Sequence, residues 1–343
     1  MDRRTFIVTA SAATAATCIG SVCALAKPAA LARRAERLVL ACPAPESTGG
    51  LFDDARLLAR ALERTLQEHS AAAQVKIEVV PGPAASIAAL ADGHADLFYG
   101  PEHANSAHIP ALGFVAGVPG HLALNAQGLR IFMQGTGADL WRSSLAPYGV
   151  VPIYAGHRGE SPMLWSRVRI DNLKGLRIAT EGLNAQVVAG LGGLPKSLKP
   201  KDITPALAAG EIDAAEIATL TDALALGLPK IAGFAARAAI ADHAGAMSLA
   251  MSDRTWRTLS SQAQSSILSC VQAHAQARET RDANSKMVLE DALSRAHGAM
   301  FYACGDAQHV RRVSEAVTAE LAAKCDQTRQ FSDAYMAAWH LRE

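Results

Sequence analysis

The chain has 343 residues, half of them apolar, with 33 basic side chains against 32 acidic ones. Charges that nearly cancel, with no basic stripe interleaved with aromatics, exclude nucleic acid as a partner. Past the N-terminal segment no run of about 18 apolar residues occurs, so no membrane span is expected in the mature chain.

Arg3 and Arg4 precede an apolar, small-residue run from Phe6 to Ala26. This order of charged and apolar regions is that of a cleaved leader, and the paired arginines point to the twin-arginine (Tat) export route. Residues 1–26 are read as that signal peptide, with cleavage after Ala26 or Ala32, which makes the mature protein periplasmic. Cys18 and Cys23 fall inside the leader. Cys42, Cys270, Cys304 and Cys325 remain, and an oxidising compartment permits disulfides. Cys304–Cys325 is the first pair to test, and four free thiols are the alternative.

Leu38–Ala41 reads as a buried strand. Asp53–Glu68 reads as an amphipathic helix, with Leu58, Leu62 and Leu66 on one face and Arg60 and Arg64 on another. Val75–Val80 alternates as a strand does, and Pro81-Gly82-Pro83 closes it. A short helix at 84–91 and a strand at 95–99 complete a β-α-β-α-β start, which implies a parallel sheet with helices on its faces. Leu129–Gln134 reads as a strand, Ala138–Tyr148 as a helix and Val150–Tyr154 as a strand. Leu176–Ala179 (strand), Asn184–Leu191 (helix), Asp202–Gly210 (helix) and Asp213–Glu216 (strand) repeat the alternation, so a second α/β lobe is expected from about residue 150. Ser260 to His297 stays helical without Pro or Gly, long for a globular helix. Its apolar residues recur at Ile267, Val271, Ala275, Met287, Leu289 and Leu293. Helices at 310–324 and 333–339 close the chain, the last with Phe331, Tyr335, Met336 and Trp339 on one apolar side.

Three blocks carry a resemblance: Leu173–Ile178 (LKGLRI), Ala206–Glu216 (ALAAGEIDAAE) and Ala225–Ala232 (ALGLPKIA). A turn at Ala155–Gly159 and a tryptophan at Trp165 accompany them. Their order and spacing resemble the TRAP transporter solute-binding proteins (DctP-like), and most of all the branch that binds 2-oxoacids and monocarboxylates. The resemblance implies a two-lobed α/β periplasmic binding protein fold. A cleft lies between its lobes, a long helix bridges them, and the lobes close over ligand by hinge motion. The lobes are expected at 37–149 plus 246–280, and at 150–245 plus 281–343. The implied partners are a small-molecule solute and the TRAP membrane permease, with no catalysis. In some members a terminal helix reaches a second subunit, so a homodimer through that helix and packing on its own lobe both stand.

The pocket departs from the family. The family's carboxylate-binding arginine is Ala179 here, and losing such a buried partner costs an anion about 2–5 kcal/mol. Another cation could replace it, the ligand could differ from a simple carboxylate, or binding could be lost. Arg158, in the loop placed at the cleft, and Arg177, on the strand face of residue 179, are the candidate cations. A solvated loop charge and a surface residue are their alternatives. An aromatic wall is missing at Ile217, and a glutamine is replaced by Ser161. Trp165, Ile217 and Ser161 are expected around the ligand. The retained Glu216, with Asp242, Ser161 and the Ile217 carbonyl, could hold a sodium or calcium ion bridging the ligand. Glu216 capping or pairing within its lobe is the alternative. His103 follows the third strand at its C-terminal end, where open α/β sheets bind ligands. No P-loop, nucleophile elbow or paired metal-ligand spacing marks an enzyme. A sensory or scaffolding protein on the same fold, signalling to a receptor, is the competing function.

Overall fold

A computed structural model describes residues 36–47, 49–69, 75–91, 93–157, 163–238, 240 and 245–341. The chain runs β1 (Glu36–Cys42), α1 (Gly50–His69), β2 (Val75–Pro81), α2 (Ser86–Ala91), β3 (Leu97–Pro101), α3 (Gly113–Ala116), α4 (Ala126–Gln134), α5 (Thr136–Leu145) and β4 (Val150–His157). It then builds β5 (Met163–Ser166), β6 (Arg177–Ala179), α6 (Gly182–Gly190), β7 (Leu194–Lys196), α7 (Pro200–Ala209), β8 (Ala214–Ile217), α8 (Leu220–Ala225) and β9 (Phe234–Arg237). It returns through β10 (Ala246–Ser252), α9 (Asp253–Thr258) and α10 (Ser261–His297), and ends with β11 (Met300–Ala303), α11 (Ala307–Ala323) and α12 (Asp326–His340).

Two sheets result. The first has the order β2-β1-β3-β10-β4, and the second β11-β9-β5-β8-β6-β7. β1 pairs in parallel with β2 and β3, as the β-α-β start requires, while β10 is antiparallel to β3 and β4. In the second sheet β5 runs antiparallel to β8 and β9. The chain therefore changes sheet between β4 and β5, changes back between β9 and β10, and changes a third time along α10. These are the two lobes the resemblance implies.

Local chemistry explains the main elements. In α1, Leu58, Leu62 and Leu66 are buried while Arg60 and Arg64 are exposed. Val75 and Ile77 are buried on β2, and Lys76 and Glu78 are exposed. The 37-residue α10 spans about 55 Å at 1.5 Å per residue. Its start is fixed by the Ser260 hydroxyl, which accepts from the Ala263 N–H, and its end by Gly298 at φ 66°. Ile267, Val271 and Ala275 bury its first half and Leu293 its second.

Several expectations are corrected. Leu129–Gln134 is helical, because the Asn125 side chain caps α4 at Gly128 and Leu129, Phe132 and Met133 share its buried face. Met287 is 81% exposed and does not continue the apolar stripe of α10. The lobe boundary lies beyond residue 157, since β4 is laddered to β10 in the first sheet. The C-terminal residues do not all join the second lobe: β11 does, but α12 packs on α4 and α5. There Phe331 and Tyr335 are buried, and the Tyr335 hydroxyl donates to Leu122 O and accepts from Leu124 N. The apolar face of α12 is thus covered by its own chain. Cys304 and Cys325 are free thiols, as is Cys270, so the Cys304–Cys325 bond is not formed.

Candidate functional site

A cavity of about 310 Å³ opens where both sheets meet α10. Alternation along β5 turns Met163 and Trp165 to one side, and Trp165 is fully buried. Ile217 ends β8 beside them. The chain then turns through Ala218 and Thr219, whose hydroxyl caps α8 by accepting from the Asp222 N–H at 3.0 Å. Thr219 and Thr221 add hydroxyls to the wall, and Leu220 adds apolar surface. The first lobe contributes His157, at the end of β4, and Ala126, at the start of α4. The remaining wall is α10. Glu279, Asp282, Lys286 and Leu289 follow one another at three- and four-residue steps and so share one helix face. The cavity wall therefore combines apolar surface from Met163, Trp165, Ile217, Leu220 and Leu289 with hydroxyls, two carboxylates and an ammonium group. Lys286 is the one lysine or arginine among the described lining residues.

Electrostatics behind this wall are unusual for a helix that joins two lobes. Asp54, 8% exposed, accepts from the Tyr99 hydroxyl at 2.5 Å and from Arg281 Nη2 at 2.8 Å. His274 Nε2 lies 3.3 Å and Arg278 Nη1 3.7 Å from the same carboxylate. Arg278, 5% exposed, also donates to Tyr99 Oη at 2.9 Å, to Ala155 O at 3.2 Å and to His157 O. Burial works to raise the Asp54 pKa, but His274, Arg278 and Tyr99 outweigh it and hold the carboxyl below its ordinary value. The network fastens the first half of α10 to α1, β3 and β4. Asp282, at the cavity wall, is pushed up to about 6, first by burial and then by repulsion from Asp54 and Asp222, against the pull of Arg278 and Arg281.

Polar contacts elsewhere also join the lobes. His103 Nε2 lies 2.9 Å from the Glu181 carboxylate, joining the end of β3 to the start of α6. The Leu51 N–H at the start of α1 donates to Asp222 Oδ1 at 3.0 Å. Next to the first contact, Glu216 accepts from Asn184 Nδ2 at 2.6 Å and from the Thr180 hydroxyl. Glu102, fully buried, sits against Asn105, Ser86 and Ser248, and its pKa is raised to about 7 by burial, which those three polar groups only partly offset.

Of the residues singled out from sequence, Trp165 and Ile217 line the cavity. Glu216 points to Thr180 and Asn184, and His103 bridges the lobes at Glu181. Arg177 forks onto Asp213, with Nε at 3.0 Å and Nη2 at 2.8 Å from its two oxygens, and is not among the residues lining the interlobe cavity. Ala179 is buried in the apolar cluster of Met163, Trp165 and Ile217. Arg158, Ser161 and Asp242 lie outside the described residues. Among the described residues no three His, Cys, Asp or Glu side chains gather where a metal ion could sit, and two donors already take the Glu216 oxygens. Sequence reading missed the α10 face. Its signal was present as Glu279, Asp282 and Lys286 at helical spacing, where the apolar stripe of α10 breaks off.

Residues 108–324 match the family model described as bacterial extracellular solute-binding protein, family 7. A monocarboxylate 2-oxoacid-binding periplasmic protein of Nostoc sp. is 31% identical over 198 residues, covering 55% of this chain and 52% of the relative. The chain spans about half the length of that curated relative. Two solved TRAP solute-binding proteins share the fold. The one from Bordetella bronchiseptica, with copurified calcium and picolinate, gives a TM-score of 0.78 at 19% identity, over 89% of this chain and 92% of the other. The one from Colwellia psychrerythraea, with bound calcium and pyruvate, gives 0.76 at 18% identity, over 90% and 95%.

Proposed function

The chain belongs to family 7 of the bacterial extracellular solute-binding proteins, and from that premise we propose that it captures a small organic acid in the Trp165 cavity and delivers it to a TRAP-type permease. The observation that carries this reading is the cavity itself, walled by both lobes and by α10, where apolar surface lies beside hydroxyls and one ammonium group. Lys286 takes the carboxylate, and the hydroxyls of Thr219 and Thr221 take its remaining lone pairs. Trp165, Ile217, Leu220 and Leu289 hold the apolar part. The binding role of the family's arginine thus moves from the strand, where Ala179 stands, to the bridging helix. Arg158 follows His157 directly in sequence and is proposed as a second cation for the same anion, and Ser161 as a further hydroxyl donor to it. The carboxylates of Glu279 and Asp282 disfavour a dianion, so the ligand is a monocarboxylate. The ligands in the names of the Nostoc, Bordetella and Colwellia proteins are of this class.

Export by the twin-arginine route is proposed on Arg3, Arg4 and the run to Ala26. A homodimer through α12 would need a face other than the one Phe331 and Tyr335 occupy.

The test is a thermal-shift and calorimetric screen of 2-oxoacids and other monocarboxylates on the mature protein, with and without sodium or calcium. A ligand that binds the native state raises stability by mass action. At least one stabiliser is expected, and Lys286→Met should weaken it about tenfold, the equivalent of about 1.4 kcal/mol. No shift with any monocarboxylate under any ion condition overturns the reading.

A further inference from the structure

The first lobe holds a second cavity, of about 430 Å³, on the far side of Glu279. Helices α4 and α5, strand β4 and the first half of α10 enclose it. Trp141, only 1% exposed, lines it, and the indole Nε1–H finds no hydrogen-bond partner. The Tyr154 hydroxyl lines the same cavity and is likewise unpaired. Buried donors are nearly always satisfied in folded proteins, so two in one cavity call for an explanation. Arg130 and Arg142 stand at its edge, 49% and 59% exposed at the side chain. Gln134, Gln272 and Gln276 supply further amide N–H groups. Met133, Pro152, Ile153 and Leu268 supply apolar surface.

We propose that this cavity is a second binding site, for a small organic anion with an apolar body. Its acceptor oxygens meet the Trp141 N–H, the Tyr154 O–H and the arginine pair, and its body lies against Ile153 and Met133. The Trp141 N–H and the two guanidinium groups can only donate, which suits the acceptor oxygens of a carboxylate. The site also touches the first cavity. Arg130 Nη2 lies 3.3 Å from Glu279 Oε2, Glu279 Oε1 accepts from the His157 N–H at 3.3 Å, and both Glu279 and His157 line the interlobe cavity. An anion at Arg130 competes with Glu279 for that guanidinium, so occupancy here changes the charge balance at the interlobe wall. The site stands on its own residues and does not depend on what the interlobe cavity binds.

The probe is 4-bromobenzoate. Crystals of the mature protein soaked in it should show a bromine anomalous peak within the cavity of Trp141 and Tyr154. In solution, calorimetry with the same probe should show a site that Tyr154→Phe and Arg130→Gln each weaken at least fivefold. Trp141→Phe, which keeps the ring and removes the N–H, should act in the same direction. Circular dichroism melts of each variant separate lost binding from lost folding. If a variant is unfolded, the bromine position and the remaining variants decide. Bromine only between the lobes, bromine nowhere, or an affinity that none of the folded variants changes would overturn the proposal.

Discussion

Glu102 is a fully buried carboxyl whose neighbours are two serines and an amide, with no cation among the groups that set its pKa. Burial raises that pKa from 4.5 to about 7. The folded protein therefore keeps a proton that the unfolded chain gives up above pH 4.5. Stability from this group is fully present below pH 4.5 and falls as pH rises towards 7. At about 1.36 kcal/mol per pH unit, the gap between 4.5 and about 7 amounts to about 3 kcal/mol lost above pH 7. Glu102→Gln keeps the shape and removes the titration. Urea unfolding of both proteins at pH 5, 6, 7 and 8 should show near-equal stability at the acid end and an advantage for the variant at pH 8 that approaches this figure. A stability difference that does not vary with pH would falsify the assignment. So would a variant less stable than the wild type at pH 8.

Removing the Asp54 carboxylate leaves the Arg278 charge buried, so Asp54→Ala should lose about 3–5 kcal/mol in denaturant titration. Tyr99→Phe, which deletes one hydroxyl from the same network, should cost about 1–2 kcal/mol on the same assay. Asp282 gains its proton as pH falls through about 6, which removes a negative charge from the cavity. Calorimetric affinity for a monocarboxylate should therefore tighten from pH 8 to pH 5, and Asp282→Asn should be tight and flat across that range. A Cβ at Gly245 would lie 1.9 Å from the Ala116 carbonyl oxygen, so Gly245→Ala should cost about 3 kcal/mol or yield insoluble protein.

The lobed fold was legible because half-buried elements carry a period. β2 alternates, α1 stacks its leucines, and α10 runs without a breaker. β10 has no such signal. Six of its seven residues are buried, and a short, continuously apolar run reads equally as strand or helix. α4 was misread because Ile131 and Phe132 are β-formers, whereas the Asn125 cap and the packing against α12 decide the outcome. For the site, Trp165 and Ile217 were found through spacing against a family. The α10 face was not, because Glu279, Asp282 and Lys286 look like the solvated side of any long helix until the second sheet is folded against them. Arg177 is held away from the interlobe cavity for a local reason: Asp213, thirty-six residues on, takes both arms of its guanidinium.

α10 is clamped twice. The Asp54–Arg278 network grips it from the first lobe, and Leu289 and Leu293 seat it in the second. The turns between the clamps carry both the Lys286 ammonium on the inner face and, on the outer face, Met287 and Val288, which are 81% and 67% exposed. If the lobes pivot, this helix works as a torsion bar, and its twist falls on the same turns that line the cavity. A fluorophore or spin label at Met287 would then read the lobe angle without touching the cavity. Occupancy and posture would be recorded by neighbouring residues on opposite sides of one rod.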